Sequence, residues 1–347
     1  MCRPAPKHAS AFRVLAGALG VGLLAYLVFR VGPGMLLKQT LKVGWGMLLI
    51  LFLGGIAHFI KTCAWWLTFR KEFRDSIPLW RAFRLRLISE AIGMFGLAGQ
   101  VVGEGMRVSL LGPSVPVAVG ISSATIDRGL YTISAAVVGI AGLVGAALLF
   151  PLSPIWKVLT FGFAGGMFAF VLTLVVAVRR QYPVLSIVLR GFRKIPGLRN
   201  RVEGAEQTTL SAEQELFNFH RQAQGAFWTS FALNVVSQVF AVLEVYLLLM
   251  FMGSSIGFLS AFVFEAFTKL VNTVGGLVPG NIGTYEGGSM LIAKLFHVSA
   301  AVGLSLGFCR RARALFWAGI GALCLIEMSQ KRDSDSSPEM ASAEATC

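Results

Sequence analysis

The sequence predicts an all-α polytopic membrane protein of about six to eight transmembrane helices, and three observations carry that prediction. Of 347 residues, 55% are hydrophobic and only 14% charged, with a mean hydropathy of +0.71; a soluble domain carries roughly a quarter charged residues. Long runs contain no Asp, Glu, Lys or Arg at all: Val14–Phe29, Val43–Ile60, Gly129–Trp156, Val158–Val178, Gln222–Leu243 and Val245–Phe264. Most of them approach the roughly 20 residues that cross about 30 Å of hydrocarbon. Finally, much of the net charge of +14 is gathered beside these runs, in Arg70–Arg86 and Arg179–Arg201. That placement marks loops on the cytoplasmic side and a surface for anionic lipid, and it removes the nucleic-acid reading that a basic soluble protein would invite.

The elements follow in order. MCRPAPKHASAFR is basic and precedes an apolar run without a small-residue cleavage site, so residues 1–13 are expected in the cytoplasm and Val14–Phe29 as an uncleaved first span. A second span, about Gly44–Leu67, returns to the basic Arg70–Arg86 loop, with Trp45, Trp65 and Trp66 at its ends as interfacial anchors. Gly129–Phe150 and Val158–Val178 read as a hairpin around the outer turn PLSPI. The stretch between, Leu87–Asp127, then starts and ends on one side, is mostly apolar, and carries Gly93, Gly96, Gly99, Gly103, Gly105, Gly112, Pro113 and Pro116. A re-entrant hairpin broken at its glycines fits that composition; two short tilted spans are the alternative.

In the loop after Arg179, PVLSIVLRGF reads as a helix lying in the cytoplasmic interface, and Glu203–Glu215 as a short solvated helix. One span, Ala226–Met252, leads to a second broken segment, Ser255–Arg311, and Ala314–Ile326 crosses back; this places Arg310, Arg311 and Arg313 outside, against the usual charge bias, unless they belong to a site. The tail from Lys331 has almost no apolar residues and is expected to be disordered. A transmembrane domain over 14–327, with the basic loop 179–224 inside it and a tail from 328, is the resulting organisation. The five cysteines are scattered without a CxxC pair, which indicates neither disulfides nor zinc.

The two broken segments echo each other. AVGISSATIDR (Ala118–Arg128) aligns with AVGLSLGFCRR (Ala301–Arg311), and a Gly-Glu element precedes each, at Glu104 and Glu286. Such duplications, often inverted, build transporter folds with the site at the repeat interface.

Ionisable groups at membrane depth cost about 2.5–3.5 kcal/mol each on insertion scales, so each one marks a candidate site. Glu265, Lys269 and Asn272 recur at i, i+4 and i+7 on one helix face, as either an internal ion pair or the wall of a polar cavity. Asn234, Ser237 and Glu244 share a face of the preceding span; His58, Lys61, Arg86 and Glu90 are weaker candidates. The stretch LVPGNIGTYEGGS offers broken backbone at Pro279, Gly280, Gly283 and Gly287, as Gly103 does in the first segment. A helix beginning near Gly287 would turn its positive end on an anion. No HExxH, GxSxG or Walker lysine is present, so no enzyme, metal or cofactor is expected.

At these residues the chain resembles the transmembrane region of lysylphosphatidylglycerol synthase, a flippase-like membrane domain family. PGNIGTYEGG with Arg310 or Arg311 downstream is similar to the family's proline-glycine-x-x-glycine-x-x-glutamate element and its arginine. GQVVGEGMR with Asp127 and Arg128 is similar to its glycine-glutamate-x-x-arginine and aspartate-arginine elements, although Phe95–Ala98 replace the asparagine and proline usual before them. The resemblance covers roughly Val14–Glu327. It implies a bacterial or archaeal protein of the cytoplasmic membrane that moves lipid headgroups, without the synthase's separate catalytic domain.

On that basis Arg107, Arg128, Lys269, Arg311 and Asn272 are expected to hold an anionic headgroup. Glu104, Asp127, Glu265 and Glu286 line the path, binding amino or hydroxyl groups, holding the arginines or carrying a coupling proton. The expected partners are membrane lipids, anionic or amino-modified, and no nucleic acid. Two other classes stay open: a non-transporting partner docking a lipid- or glycan-modifying enzyme through the basic loop, and an ion-coupled carrier of a soluble anion.

Overall fold

A computed structural model describes residues 22, 25–94, 97–149, 151, 153–183, 187, 199–275, 278 and 281–344. The expected interfacial helix, most of the first span and the 276–277 and 279–280 stretch fall outside them. The described residues contain helices and no strand. The helices are α1 (Pro33–Leu41), α2 (Gly46–Trp66), α3 (Lys71–Arg74), α4 (Leu79–Gly93), α5 (Leu97–Ser109), α6 (Val117–Leu149), α7 (Pro154–Arg179), α8 (Arg199–Gln222), α9 (Gln224–Phe251), α10 (Phe258–Gly275), α11 (Thr284–Leu295) and α12 (Ala300–Glu344).

Among the described residues five segments are long and apolar enough to cross a membrane: α2, α6, residues Pro154–Ala177 of α7, α9, and Ala300–Gln330 of α12. The chain is a polytopic α-helical membrane protein. Beyond Gln330, α12 continues as helix through the polar stretch to Glu344, where composition predicts no packed structure.

Two helix pairs stand apart from these long helices, each with at least one helix too short to span a membrane; α10, the longest of their four helices, has 18 residues. α4 and α5 have 15 and 13 residues, α11 has 12, so at 1.5 Å per residue they reach only about 18–23 Å. α4 packs on α5, and α10 packs on α11, as two helical hairpins.

The packing scheme has a hidden order. Among these eight helices, exchanging α2 with α9, α4 with α10, α5 with α11 and α6 with α12 preserves the main touching pairs: α2–α4 becomes α9–α10, α5–α6 becomes α11–α12, and α4–α12 becomes α10–α6. The α2–α9 contact maps onto itself. Each hairpin leans on the long helix of the other copy, which is how an interleaved duplication packs. The echoed glycines occupy equivalent places, since a Cβ on Gly120 would lie 2.7 Å from Val108 of α5 and one on Gly303 would lie 2.7 Å from the Ser289 carbonyl of α11. The hydrophobic core follows the same plan. One cluster joins Ile50, Leu143, Val245, Phe264, Ile292 and Leu306, and a second joins Trp65, Phe69, Leu85, Ile88 and Leu111.

Several expectations are corrected. Gly103 does not break a helix: it lies inside α5, where its missing Cβ lets α5 approach the Ser89 carbonyl of α4, which an added Cβ would meet at 2.5 Å. The first hairpin ends before Asp127, because the echo motif forms the first turns of α6 rather than the close of a dip. Arg310, Arg311 and Arg313 lie within the membrane-length part of α12 rather than ahead of the last span, and that segment begins at Ala300 instead of Ala314. Gly287 does not begin a helix, since α11 starts at Thr284 after Gly283, whose φ of 78° suits only glycine well. Pro279 and Gly280 lie outside the described residues. The expected short solvated helix is the 24-residue α8, which packs Leu216 and Phe219 against Ile126 and Leu130 of α6.

Candidate functional site

The duplication sets α4, α6, α9, α10 and α12 around one cavity of about 750 Å3. Its wall carries seven cationic side chains (Lys61, Arg86, Arg128, Lys269, Arg310, Arg311, Arg313) against four carboxylates (Glu90, Asp127, Glu244, Glu265). Phe163, Met167 and Phe170 of α7 close one apolar side.

The charges are built into the helices at matching positions with opposite sign. Arg86 is the eighth residue of α4 and Glu265 the eighth of α10; Glu90 and Lys269 follow each at i+4. Asp127 is the eleventh residue of α6 and Arg310 the eleventh of α12. In the first copy Arg86 donates to Asp127 at 2.9 Å and reaches Glu90 at 3.8 Å. In the second, Arg310 donates to Glu265 at 2.8 Å, and Lys269 donates to the other Glu265 oxygen at 3.2 Å. Each copy therefore fastens its hairpin to its long helix through a matching ion pair, Arg86–Asp127 and Glu265–Arg310, with the signs exchanged.

Further groups extend each cluster. Arg107, 1% exposed, donates to Asp127 at 3.2 Å, pairs with Glu104, and lies 4.1 Å from the Trp65 ring centroid. Glu244 holds Arg313 at 3.0 Å and Arg310 at 3.6 Å. Lys269 also donates to the Gln238 amide oxygen at 2.7 Å. Arg311 pairs with Glu286, whose other oxygen accepts the Gly283 N–H at 2.8 Å. The positive end of α11 is thus met by the chain's own carboxylate, and Arg311 reaches into the cavity from it.

The cavity brings together Arg128, Lys269, Arg311, Asn272, Asp127 and Glu265 of the residues expected from sequence. Arg107, Glu104 and Glu286 are placed otherwise and do not line it: Arg107, itself paired with Glu104, braces Asp127, and Glu286 braces Arg311. Asn272 accepts a hydrogen bond from the Asn281 amide at 3.3 Å. Of the polar face on α9, Ser237 and Glu244 reach the cavity, while Asn234 spends its amide on the Ser230 carbonyl of its own helix. His58 packs against Trp317, with ring centroids 5.7 Å apart.

Sequence reasoning did not assign Gln100, Tyr131, Gln238, Asn281 and Tyr285, all on the wall. Arg310 is read from sequence as an alternative to Arg311 for the arginine after PGNIGTYEGG, and Arg313 only as a charge against the usual bias. Their signal was three arginines within four residues of an apolar run. Among the described residues no group of three or more His, Cys, Asp or Glu is placed to hold a metal ion.

Comparison with known proteins gives one match. The family described as lysylphosphatidylglycerol synthase TM region matches residues 13–321. Neither the curated proteins nor the solved structures contain a match.

Proposed function

Because the chain belongs to the lysylphosphatidylglycerol synthase TM region family, a family of membrane proteins with lipid-related function, we propose that it moves lipid headgroups across the cytoplasmic membrane through the cavity between its two hairpins. One observation carries the reading: a cavity of about 750 Å3, walled by seven cations and four carboxylates, lies among helices long and apolar enough to span a bilayer. Charges at that depth are retained where they face water or a polar ligand. A headgroup fits such a space while its acyl chains stay in lipid beside α7, whose face exposes Phe161, Phe168 and Leu172.

The short hairpins enter the bilayer from one side and return to it. α4, α5 and α11 are too short to cross about 30 Å, and the two hairpins, related by the duplication, enter from opposite faces. The N-terminus, the basic stretch from Arg70 to the start of α4, and Arg179–Arg201 are cytoplasmic. No catalytic step is part of this reading. Lys269 and Arg311 offer charge to a passing phosphate, and Glu265 and Glu286 hold those cations in place.

The test is transbilayer movement of fluorescent phospholipids in liposomes containing the purified protein. Wild type is expected to move at least one lipid, and Lys269→Gln and Arg311→Ala to reduce the rate. Unchanged rates in both folded variants, or no movement of any lipid by folded wild type, would end the proposal. Uptake of a soluble anion into sealed vesicles would replace the lipid with a solute.

A further inference from the structure

The cavity's charges are not equally engaged. Each of its four carboxylates meets a cation of the chain: Glu90 meets Arg86, Asp127 meets Arg86 and Arg107, Glu244 meets Arg310 and Arg313, and Glu265 meets Lys269 and Arg310. Two cations differ. Among the described residues, Lys61 of α2 and Arg128 of α6 have no carboxylate within 4.0 Å. Lys61 Nζ lies 5.0 Å from the Tyr131 ring centroid and the Arg128 guanidinium 6.0 Å from the same centroid. Among the described residues, the one side-chain hydrogen bond of Arg128 goes to the neutral Gln100 amide. The two side chains and the ring all line the cavity.

Resting on the translocation reading, we infer that the headgroup this chain accepts is a net-anionic phosphate ester, received by Lys61 and Arg128 beside Tyr131, and that headgroups bearing an added ammonium group are disfavoured. A cationic headgroup needs a carboxylate with free capacity, and here each carboxylate is already held by the protein's own arginines or lysines. Taking one away would leave a guanidinium unpaired in a poorly solvated wall, a costly exchange. An anion meets two cations that have no carboxylate within 4.0 Å to give up and Glu90 only at longer electrostatic range. Each offers charge-assisted hydrogen bonds, and guanidinium is suited to bidentate contact with phosphate oxygens. Tyr131 holds both cations over one ring, which keeps them near each other without neutralising them.

Glu90 sets the sharpest test. It is the most exposed of the four carboxylates, at 42%, with Arg86 at 3.8 Å and with Lys61 and Arg128 themselves in electrostatic reach. If the ligand is anionic, Glu90 opposes it, and Glu90→Gln tightens binding. If the ligand is an ammonium headgroup, Glu90 is its best anchor and the same change weakens binding.

The experiment measures lipid binding to purified full-length protein by native mass spectrometry, with phosphatidylglycerol, phosphatidylcholine and an aminoacylated phosphatidylglycerol as probes. Phosphatidylglycerol is expected to bind about tenfold more tightly than the aminoacylated lipid, a difference of about 1.4 kcal/mol. Lys61→Gln and Arg128→Gln should each erase most of that preference, Lys61→Arg should keep it, and Glu90→Gln should enlarge it. Thermal unfolding of each variant checks that it is folded; Lys61→Arg and Glu90→Gln keep the test open if a neutral variant is not. Equal binding of the three lipids, preference for the aminoacylated one, or weakening by Glu90→Gln would overturn the inference. Preference for phosphatidylglycerol without any transbilayer movement would uphold the anionic site and remove the translocase reading. Glycerol 3-phosphate as a soluble competitor separates the sources. Displacement only at concentrations far above those of the lipid supports a headgroup, and equal potency reassigns the site to a soluble phosphate ester and overturns the lipid form of the inference.

Discussion

Replacing Glu265 by glutamine and Arg310 by methionine, singly and together, tests whether hairpin and long helix are joined through charge. The two side chains are 3% and 8% exposed and meet at 2.8 Å. With charge centres about 4 Å apart and an effective permittivity near 20, their attraction is about 4 kcal/mol. Losing one member also strands its partner, which for a buried pair costs about 3–5 kcal/mol. The lower end applies to Glu265→Gln, because Arg310 retains Glu244 at 3.6 Å and Lys269 retains the Gln238 oxygen at 2.7 Å. The expected single-variant losses are therefore about 3 kcal/mol each, with a double variant that loses about 2 kcal/mol less than their sum. Reversible unfolding in mixed detergent micelles reads all four states of the cycle. If the losses add to within about 0.5 kcal/mol, the two charges do not couple and the ion-pair account of this half of the cavity fails.

Other expectations are quickly stated. Gly103→Ala should destabilise by about 1–3 kcal/mol, because the new Cβ forces α5 from the Ser89 carbonyl. Gly105→Ala in the same helix meets nothing within 4 Å and should stabilise by about 0.5–1 kcal/mol; thermal unfolding midpoints distinguish them. Arg70→Ala should shift stability by less than about 1 kcal/mol, since its pair with Glu215 at 2.7 Å is 40% and 27% exposed; a larger loss in the same assay would show that α8 is held mainly by that contact.

Much of the fold was legible because its signals are local. α2 lies wholly within the expected second span, and the bounds of α9 fall within two residues of those expected, since charge-free length alone marks such helices. Where α6 and α12 begin was not legible. Asp127, Arg128, Arg310 and Arg311 interrupt the apolar pattern and read as ends, yet each helix starts ten residues earlier, with Asp127, Arg310 and Arg311 paired internally and Arg128 bonded to the Gln100 amide. The Glu265–Lys269 pair was visible from its i, i+4 spacing, and the structure places it at 3.2 Å. That Arg107 and Glu104 do not line the cavity depends on Trp65 and Asp127, 42 and 20 residues from Arg107 in sequence, and no local pattern carries such a contact.

The reversal of sign between the copies bears on how the chain assembles. Two hairpins of similar shape, each seated against similar long helices, have two ways to be seated. In the wrong seat Arg86 would face Arg310, and Glu265 would face Asp127. Both are like-charge encounters in a poorly solvated interior, where they oppose docking most strongly. A duplicated chain with identical charges in both halves would lack that discrimination. Here the right partner for each hairpin is marked by charge, so the membrane-inserted helices can sort themselves by electrostatics after shape alone has left the choice open.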